Sequence, residues 1–285
     1  MAARPALTTE AVVLRSSPYR DADLIVTLYT RERGKLAAIA RSARRSKKRF
    51  GGALGLLTLS RVEIRRSSGA ELWTLQSAAM LRSFATLATD MAGFAHASYG
   101  TELVRELTAA EEPDERILAL LVELYATLAE RGVSVAALRG FELRLLDLIG
   151  LAPVLDRCVG CGRDDLGGGE GDVLFDPVRG GVVCDSCRAG ADLGAAPSMA
   201  SPALAPRGGG ASVRRLSGPA RAALVAAQRA DSLADARRAW PATTPPEAAR
   251  EARDTALSLI LAQVGKPLRS LEFIAKVSGA QRDES

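Results

Sequence analysis

The first 80 residues alternate apolar and polar side chains in short segments, which is the period of β-strands. We expect strands at 9–15, 24–30, 35–41, 58–65 and 71–78. Five short strands in so small a stretch predict a compact barrel. The pattern fits an OB-fold and an SH3-like barrel equally well, so periodicity leaves both open.

From Phe84 onward the apolar positions follow a helical period. The pattern predicts helices over 92–110, 113–132, 135–148, 219–229 and 246–264, and two short strands at 173–176 and 181–183. The stretch 195–212, rich in Ala, Pro, Ser and Gly, is expected to be a mobile loop. A last apolar segment at 268–274 is expected to pack back on the helices.

These elements predict an α+β protein built from consecutive parts. A five-stranded barrel covers 1–82, a helical body covers 83–155 and 191–285, and a cysteine module at 156–190 is inserted into that body. No apolar run approaches the roughly 20 residues that a membrane-spanning helix needs. The N-terminus shows no hydrophobic signal core, so we expect a cytoplasmic protein in a reducing compartment.

Positive charge is concentrated in the predicted barrel. The whole chain has a formal net charge of +5. Residues 1–80 hold 15 Lys and Arg against 6 Asp and Glu, a net charge of +9, and the remaining residues carry −4. A basic module on a mildly acidic body indicates a localised binding site for a polyanion.

The charge is densest in the segment 41–52, between two predicted strands. It has six basic residues in nine positions, no acid, and ends with Phe50 and two glycines. Such a loop supplies the spaced cations that phosphates along a nucleic-acid strand require. Aromatic side chains are few, so we expect backbone contacts to dominate. Tyr19 and Phe50 are the candidate stacking residues, whereas Trp73 is expected in the core.

The four cysteines form two close pairs, Cys158 with Cys161 and Cys184 with Cys187. The spacing C-x2-C, 22 residues, C-x2-C is typical of a structural zinc site, because each pair turns two thiolates toward one ion. Two disulfides are the alternative, which a reducing compartment disfavours. Four thiolates leave no open coordination position, so we expect one structural Zn²⁺ and no zinc catalysis.

The sequence offers no recognisable catalytic set. His96 is the only histidine, and there is no Walker A motif and no G-x-G-x-x-G after a strand. Asp21 and Asp23 are expected to make local hydrogen bonds or ion pairs with neighbouring arginines rather than to hold magnesium. We therefore expect a binding protein and not an enzyme.

Two stretches of the barrel resemble the RecO family of recombination mediators. Residues 19–30, followed by Gly-Lys-Leu at 34–36, resemble that family's second strand and turn. Residues 40–44, with the basic run after them, resemble its a-R-G-A-R loop, except that Ser42 replaces the usual Gly. Because Gly reaches positive φ freely and Ser does not, Ser42 is expected to alter the loop backbone without removing charge.

The second half of the chain resembles the same family. Leu-Ala-Pro at 151–153 resembles the junction between helix and zinc module, and 266–273 resembles the closing l-k-S-x-x-f segment. The resemblance covers about 8–275, and the order of parts agrees with it. It implies that the barrel is an OB-fold.

The resemblance also implies a function. Members bind DNA, anneal complementary strands and help to load the RecA recombinase, without bond-making chemistry. The expected partners are single- and double-stranded DNA, RecR, the C-terminal tail of single-stranded-DNA-binding protein, and RecF. The expected location is the cytoplasm, in association with the nucleoid.

The implied DNA-binding surface lies within 15–66 and centres on 41–49. Its expected residues are basic, apart from one aromatic: Arg15, Arg20, Lys35, Arg41, Arg44, Arg45, Lys47, Lys48, Arg49 and Phe50. The tail of single-stranded-DNA-binding protein is expected on the helical body, beside Arg139 and Arg144.

Two other functions stay open. A zinc-ribbon nucleic-acid-binding regulator would place the nucleic acid at 156–190. That segment has four basic and seven acidic residues, a net charge of −3, which suits phosphate poorly. A metal-dependent nuclease is disfavoured by the lone histidine and the closed cysteine shell.

Overall fold

The computed structural model describes residues 6–66, 69, 71–166, 171–189 and 213–283. The chain divides into two compact units, unit 1 made of Met1–Gly132 with Ser270–Ser285 and unit 2 made of Val133–Arg269. The stretch 195–212, expected to be a mobile loop, lies outside the described residues. The domain boundaries drawn from the sequence remain predictions.

Unit 1 begins with a closed five-stranded barrel. Its strands are β1 Leu7–Tyr19, β2 Asp23–Thr30, β3 Gly34–Ala40, β4 Thr58–Arg65 and β5 Trp73–Ser83. Their order around the barrel is β1-β2-β3-β5-β4, and β1 pairs with β4. All strand pairs are antiparallel except that of β3 with β5, where Ala38 pairs with Trp73 and Ile39 with Thr74. The five predicted strands and the OB-fold barrel are confirmed.

Alternating side chains of the strands fill the barrel interior. In β4, Val62 and Ile64 are 1% and 0% exposed. The short helix α1, Lys47–Phe50, lies between β3 and β4 and contributes the ring of Phe50 to the same core. Trp73 also belongs to this core, as its strand pattern predicts.

The turn between β2 and β3 requires glycine. Gly34 has a φ of +59°, and a Cβ atom there would lie 2.2 Å from the backbone oxygen of Glu112. The close approach is fixed by a hydrogen bond of 2.8 Å from the N–H of Glu111 to the carbonyl of Lys35. The turn therefore joins the barrel to the helical part of unit 1.

Helices follow the barrel in unit 1, and aspartates cap them. After a 3-10 turn at Ala85–Thr89 come α2, Met91–Leu107, and α3, Glu115–Arg131. Asp90 accepts a hydrogen bond from the N–H of Ala92 at the start of α2, and Asp114 accepts one from the N–H of Arg116 at the start of α3. Both predicted helices are confirmed.

In its described part, unit 2 combines packed helices with a small sheet. The elements are α4 Val135–Leu148, β6 Val173–Asp176, β7 Gly181–Val183, α5 Asp185–Ala189, β8 Arg214–Leu216, α6 Gly218–Gln228, α7 Leu233–Ala239 and α8 Pro246–Val264. The sheet has the order β7-β6-β8. The strand β8 and the helix α7 are not predicted from the sequence, since segments this short carry little periodic signal.

The last helix, α9 Arg269–Asp283, returns to unit 1. The sequence predicts only a turn or two here, whereas the helix has 15 residues. The N–H and hydroxyl of Ser270 donate to Oε2 of Glu102 in α2 at 2.8 and 2.6 Å. The rings of Phe273 and Phe94 meet edge-on with centroids 6.2 Å apart. Because Glu102 is only 8% exposed, these hydrogen bonds satisfy a buried carboxylate.

No helix within the described ranges is both long enough and apolar enough to cross a membrane.

We expect Gly34→Ala to destabilise unit 1 strongly. The new Cβ would strain the left-handed backbone and collide with the Glu112 carbonyl, and the two defects together cost on the order of 2–4 kcal/mol. Urea unfolding would measure the loss. Gly69→Ala is the matched control, since Gly69 has a φ of +75° and nothing within 4 Å of its Cβ position. It should lose about 1 kcal/mol, and equal losses would contradict the role of the Glu112 contact.

Candidate nucleic-acid interface and metal centre

Two basic loops meet at one end of the barrel. The β1–β2 hairpin lies beside the connection that follows β3. The N–H of Arg44 donates to the carbonyl of Ala22 at 3.1 Å, and the N–H of Ser42 donates to Oδ1 of Asp23 at 2.7 Å. The partner of Asp23 is thus a backbone N–H 19 residues along the chain and not a neighbouring arginine. Residues 15–20 and 41–49 form one surface, here called the basic surface.

The cations of the basic surface are exposed to solvent. The exposed side chains are Arg15, Arg20, Arg41, Arg44, Arg45, Lys48 and Arg49. Within the part of the chain that the structure describes, no carboxylate forms an ion pair with them. By contrast, Arg31 pairs with Glu10 at 2.9 Å and Arg66 pairs with Glu111 at 2.6 Å. The uncompensated charge therefore collects at this end of the barrel.

Neutral groups orient several of these cations. Nη2 of Arg49 donates to the carbonyl of Arg41 at 2.6 Å, and its guanidinium lies 5.0 Å from the centroid of the Phe50 ring. Nη1 of Arg44 donates to the carbonyl of Asp21 at 3.2 Å. Carbonyls and rings bear no net negative charge, so the guanidiniums are positioned while their charge remains available to phosphates.

Tyr19 stays accessible at the tip of the hairpin. Its side chain is 38% exposed, and the guanidinium of Arg20 lies 5.2 Å from the centroid of its ring. The arrangement presents an aromatic face next to a cation. That Tyr19 stacks on a nucleobase remains a prediction.

Phe50 does not fit the stacking role predicted from the sequence. Its side chain is 2% exposed and packs into the barrel core. The prediction is wrong because burying an aromatic ring stabilises the fold more than leaving it in solvent. Phe50 instead anchors the basic loop to the barrel.

Lys35 does not fit the DNA-binding role predicted from the sequence either. Its Nζ donates to the carbonyl of Arg105 at 2.6 Å and to the carbonyl of Thr108, at the C-terminal end of α2. The last carbonyls of a helix lack intrahelical donors, and a cation is favoured there. The amine is thus held at the end of α2 and is not presented to DNA. The side chain of Lys47, another predicted contact, lies outside the described residues.

Arg139 does not fit the site predicted on the helical body for the tail of single-stranded-DNA-binding protein. The prediction is wrong for this residue. This side chain is 4% exposed and forms an ion pair with Glu142, which is 0% exposed. Both residues lie on α4, three positions apart, and face the interior of unit 2. A buried guanidinium cannot receive an acidic peptide. Arg144 donates to the carbonyl of Asp231.

The four cysteines come together as a metal-binding cluster. Their Sγ atoms all lie within 4.8 Å of one another, and those of Cys161 and Cys184 are 3.7 Å apart. The N–H groups of Gly160 and Cys184 each donate to Sγ of Cys158 at 3.3 Å. A Cβ atom at Gly160 would lie 3.0 Å from Sγ of Cys187, so glycine keeps the turn close to the cluster.

The electrostatics of the cluster favour a bound cation. Burial alone would raise the pKa of Cys158, but hydrogen bonds from the backbone of Cys184, Cys161 and Gly160 lower it to about 6. Hydrogen bonding with the other thiols raises the pKa of Cys187 to about 12. Four thiolates this close repel one another unless a metal compensates them, and a soft divalent ion does so. The donor set therefore fits Zn²⁺.

An exposed apolar group beside the basic surface is not predicted from the sequence. Leu56, Met80 and Leu81 are 50%, 48% and 40% exposed. The signal in the sequence is the loss of alternation at 78–81, Ala-Ala-Met-Leu, near the end of β5. In a regular strand, one of two neighbouring apolar residues would face the core.

Comparison with known proteins identifies the relatives of the chain. Residues 1–84 match the family model described as Recombination protein O N terminal, and 88–201 match Recombination protein O C terminal. A DNA repair protein RecO from Anaeromyxobacter sp. (strain Fw109-5) is 38% identical over 95% of this chain and 96% of its own length. Proteins of the same name from Myxococcus xanthus (strain DK1622) and Anaeromyxobacter dehalogenans (strain 2CP-C) are 34% and 44% identical, over 94% and 63% of this chain and 96% and 69% of their own lengths.

We expect Ser42→Gly to stabilise unit 1 slightly. Ser42 has a φ of +55°, a left-handed conformation that costs an L-residue about 1–2 kcal/mol. Glycine removes this strain but adds freedom to the unfolded chain, so the net gain should be about 0.5–1 kcal/mol. Chemical unfolding would measure it. Ser42→Ala keeps the strained Cβ and should gain nothing; a gain as large as that of glycine would contradict backbone strain as the cause.

Proposed function

Since the chain belongs to the RecO family of DNA repair proteins, we propose that it is a recombination mediator. In this proposal it binds DNA through the basic surface and anneals complementary strands. It also helps to load the RecA recombinase onto single strands coated with single-stranded-DNA-binding protein.

The observation that carries the proposal is the set of uncompensated cations on the basic surface. Arg41, Arg44, Arg45 and Arg49 are exposed, and none of them has an ion-pair partner within the described residues. Binding of phosphates by such cations releases counterions, which makes the affinity large at low salt and steeply salt-dependent. The proposed DNA-binding residues are these four with Arg15, Arg20, Lys47 and Lys48.

Strand annealing follows from the same charges. Two complementary strands repel each other through their phosphates, and a basic surface that holds both lowers that repulsion. Holding the strands close together also reduces the entropic cost of their meeting. No step makes or breaks a covalent bond, so the proposed function needs no catalytic residue.

We further propose that the cysteine cluster holds one structural Zn²⁺. Cys158, Cys161, Cys184 and Cys187 would supply the closed set of four thiolates that structural zinc prefers. The ion would then contribute folding energy to unit 2. The remaining parts of the proposal come from the family alone: binding of RecR, RecF and the tail of single-stranded-DNA-binding protein, and a location in the cytoplasm at the nucleoid.

Strand annealing tests the proposal directly. The full chain should accelerate pairing of two complementary labelled oligonucleotides precoated with single-stranded-DNA-binding protein. Changing Arg44, Arg45, Lys47, Lys48 and Arg49 together to Ala should abolish the acceleration. The slope of log K against log salt should become shallower by about 0.7 for each single-strand phosphate that the variant no longer neutralises.

The matched control removes cations that carboxylates already neutralise. Arg31→Ala with Arg66→Ala lies in the same barrel, where Glu10 and Glu111 compensate the two charges. This variant should keep nearly the wild-type slope. A second control, Arg157→Ala with Arg163→Ala, removes exposed charge from the cysteine module. If it weakens binding while the loop variant does not, the zinc-ribbon regulator replaces our proposal.

We expect Cys158→Ser to lower the zinc content and to destabilise unit 2 by several kcal/mol, on the order of the effect of removing a structural metal. Thermal unfolding and metal analysis of the purified protein would measure both effects. Ser186→Ala, in the same Cys-x2-Cys turn but exposed, should change neither. A Cys158→Ser protein that melts like wild type yet no longer binds DNA would refute the structural role.

A further inference from the structure

The exposed apolar side chains next to the basic surface are grouped at one end of the β4–β5 ladder. Met80 pairs with Ser60, and Leu56 lies two residues before Thr58, the first residue of β4. We call Leu56, Met80 and Leu81 the apolar surface. Single exposed apolar residues are ordinary, but a group of them beside charged residues indicates a binding surface.

A β-bulge lies within this group. Leu59 pairs with Arg82 and Ser60 pairs with Met80, so Leu81 is an extra residue on β5. A bulge bends its strand and redirects a side chain. The bulge lies within the stretch 79–83, in which every residue is exposed, and Met80 and Leu81 both reach solvent there.

Leu56, the other member of the apolar surface, precedes a residue with a strained backbone. Leu57 has a φ of +57° and is 5% exposed, while Leu56 is 50% exposed. A bulky side chain in the left-handed region costs on the order of 1–3 kcal/mol, and such strain is concentrated at functional sites. Two backbone irregularities, at Leu57 and at Leu81, thus lie in or next to the apolar surface.

The apolar surface is continuous with the basic surface. A Cβ atom at Gly52 would lie 3.1 Å from Cε of Met80, so the methionine packs against the end of the basic loop. Gly52 is two residues beyond Phe50, which anchors that loop in the core. Met80 therefore lies next to the C-terminal end of the basic loop.

We infer that the apolar surface contacts the nucleobases of a single strand whose phosphates occupy the basic surface; this inference rests on the DNA binding proposed above. Leu and Met side chains insert between bases and separate their stacks. The polarizable sulfur of Met80 also favours contact with aromatic rings. Since the ring of Phe50 is buried, these side chains supply base contact that the sequence assigned to an aromatic residue.

The charges around the apolar surface favour a nucleic-acid strand over a second copy of the chain. A second copy of the chain would bring two sets of uncompensated cations together, and like charges across an interface are costly. A nucleic-acid strand offers phosphates for the cations and apolar base faces for Leu56, Met80 and Leu81. The contact does not read hydrogen bonds at base edges, so it should tolerate any sequence. It should also favour single strands, whose bases can leave the stack.

The test compares two strands with equal charge. Fluorescence anisotropy with the full chain would measure binding to an oligothymidylate and to an abasic strand with the same number of phosphates, at several salt concentrations. Wild type should bind the thymine strand at least about fivefold more tightly. Met80→Gln with Leu81→Gln should remove this preference and keep the salt slope. Met91→Gln, at a position 60% exposed at the start of α2, is the matched control and should behave as wild type.

The outcomes separate this inference from the proposed function. Equal binding of both strands by wild type, with a steep salt slope, would overturn the base contact and leave DNA binding intact. A preference that survives in the double variant would also overturn it. Absence of salt-dependent binding to either strand would refute the proposed function as well. Sedimentation without DNA adds one more outcome: a dimer that the double variant converts to monomers would mean that a second copy occupies the surface.

Discussion

The basic end of the barrel depends on one electrostatic constraint: the exposed cations of 41–49 lie close together, and within the described residues no carboxylate forms an ion pair with them. The fold meets this constraint with neutral acceptors, namely backbone carbonyls and the face of the Phe50 ring. The repulsion among the cations is offset by burial of that ring and by the hydrogen bonds that join Ser42 and Arg44 to the β1–β2 hairpin.

Much of this organisation can be predicted from the sequence. The cysteine cluster can be predicted because ligand spacing is a local property, and the C-x2-C spacing places the two thiols of each pair on the same side of a turn. The barrel can be predicted because apolar and polar residues alternate along its strands and because its turns carry glycine, as at Gly34. The basic loop can be predicted because the density of charge along a chain is counted directly from the sequence.

The sequence does not predict whether a given side chain is buried or exposed when this depends on tertiary contacts. Phe50 follows the last cation of the basic run and Lys35 follows the turn at Gly34, and the sequence shows for neither residue what its side chain contacts. One is buried because α1 folds over the barrel, and the other is held by carbonyls of α2 about 70 residues away. The bulge at Leu81 is marked in the sequence only by a loss of alternation, since its place depends on the register between β4 and β5. Arg139 is misread for the same reason, because its burial follows from the packing of α4.

The two hydrogen bonds between Ser270 and Glu102 have a consequence for the order in which unit 1 is completed during synthesis. Unit 1 uses residues from both ends of the chain, while unit 2 is one continuous segment. Synthesis from the N-terminus therefore produces the barrel first and the helix α9 after all of unit 2. Until Ser270 emerges from the ribosome, the carboxylate of Glu102 and the ring of Phe94 lack their partners from that helix. Unit 1 is begun before unit 2 and completed after it, so incomplete chains expose an unfinished helical surface to chaperones and proteases.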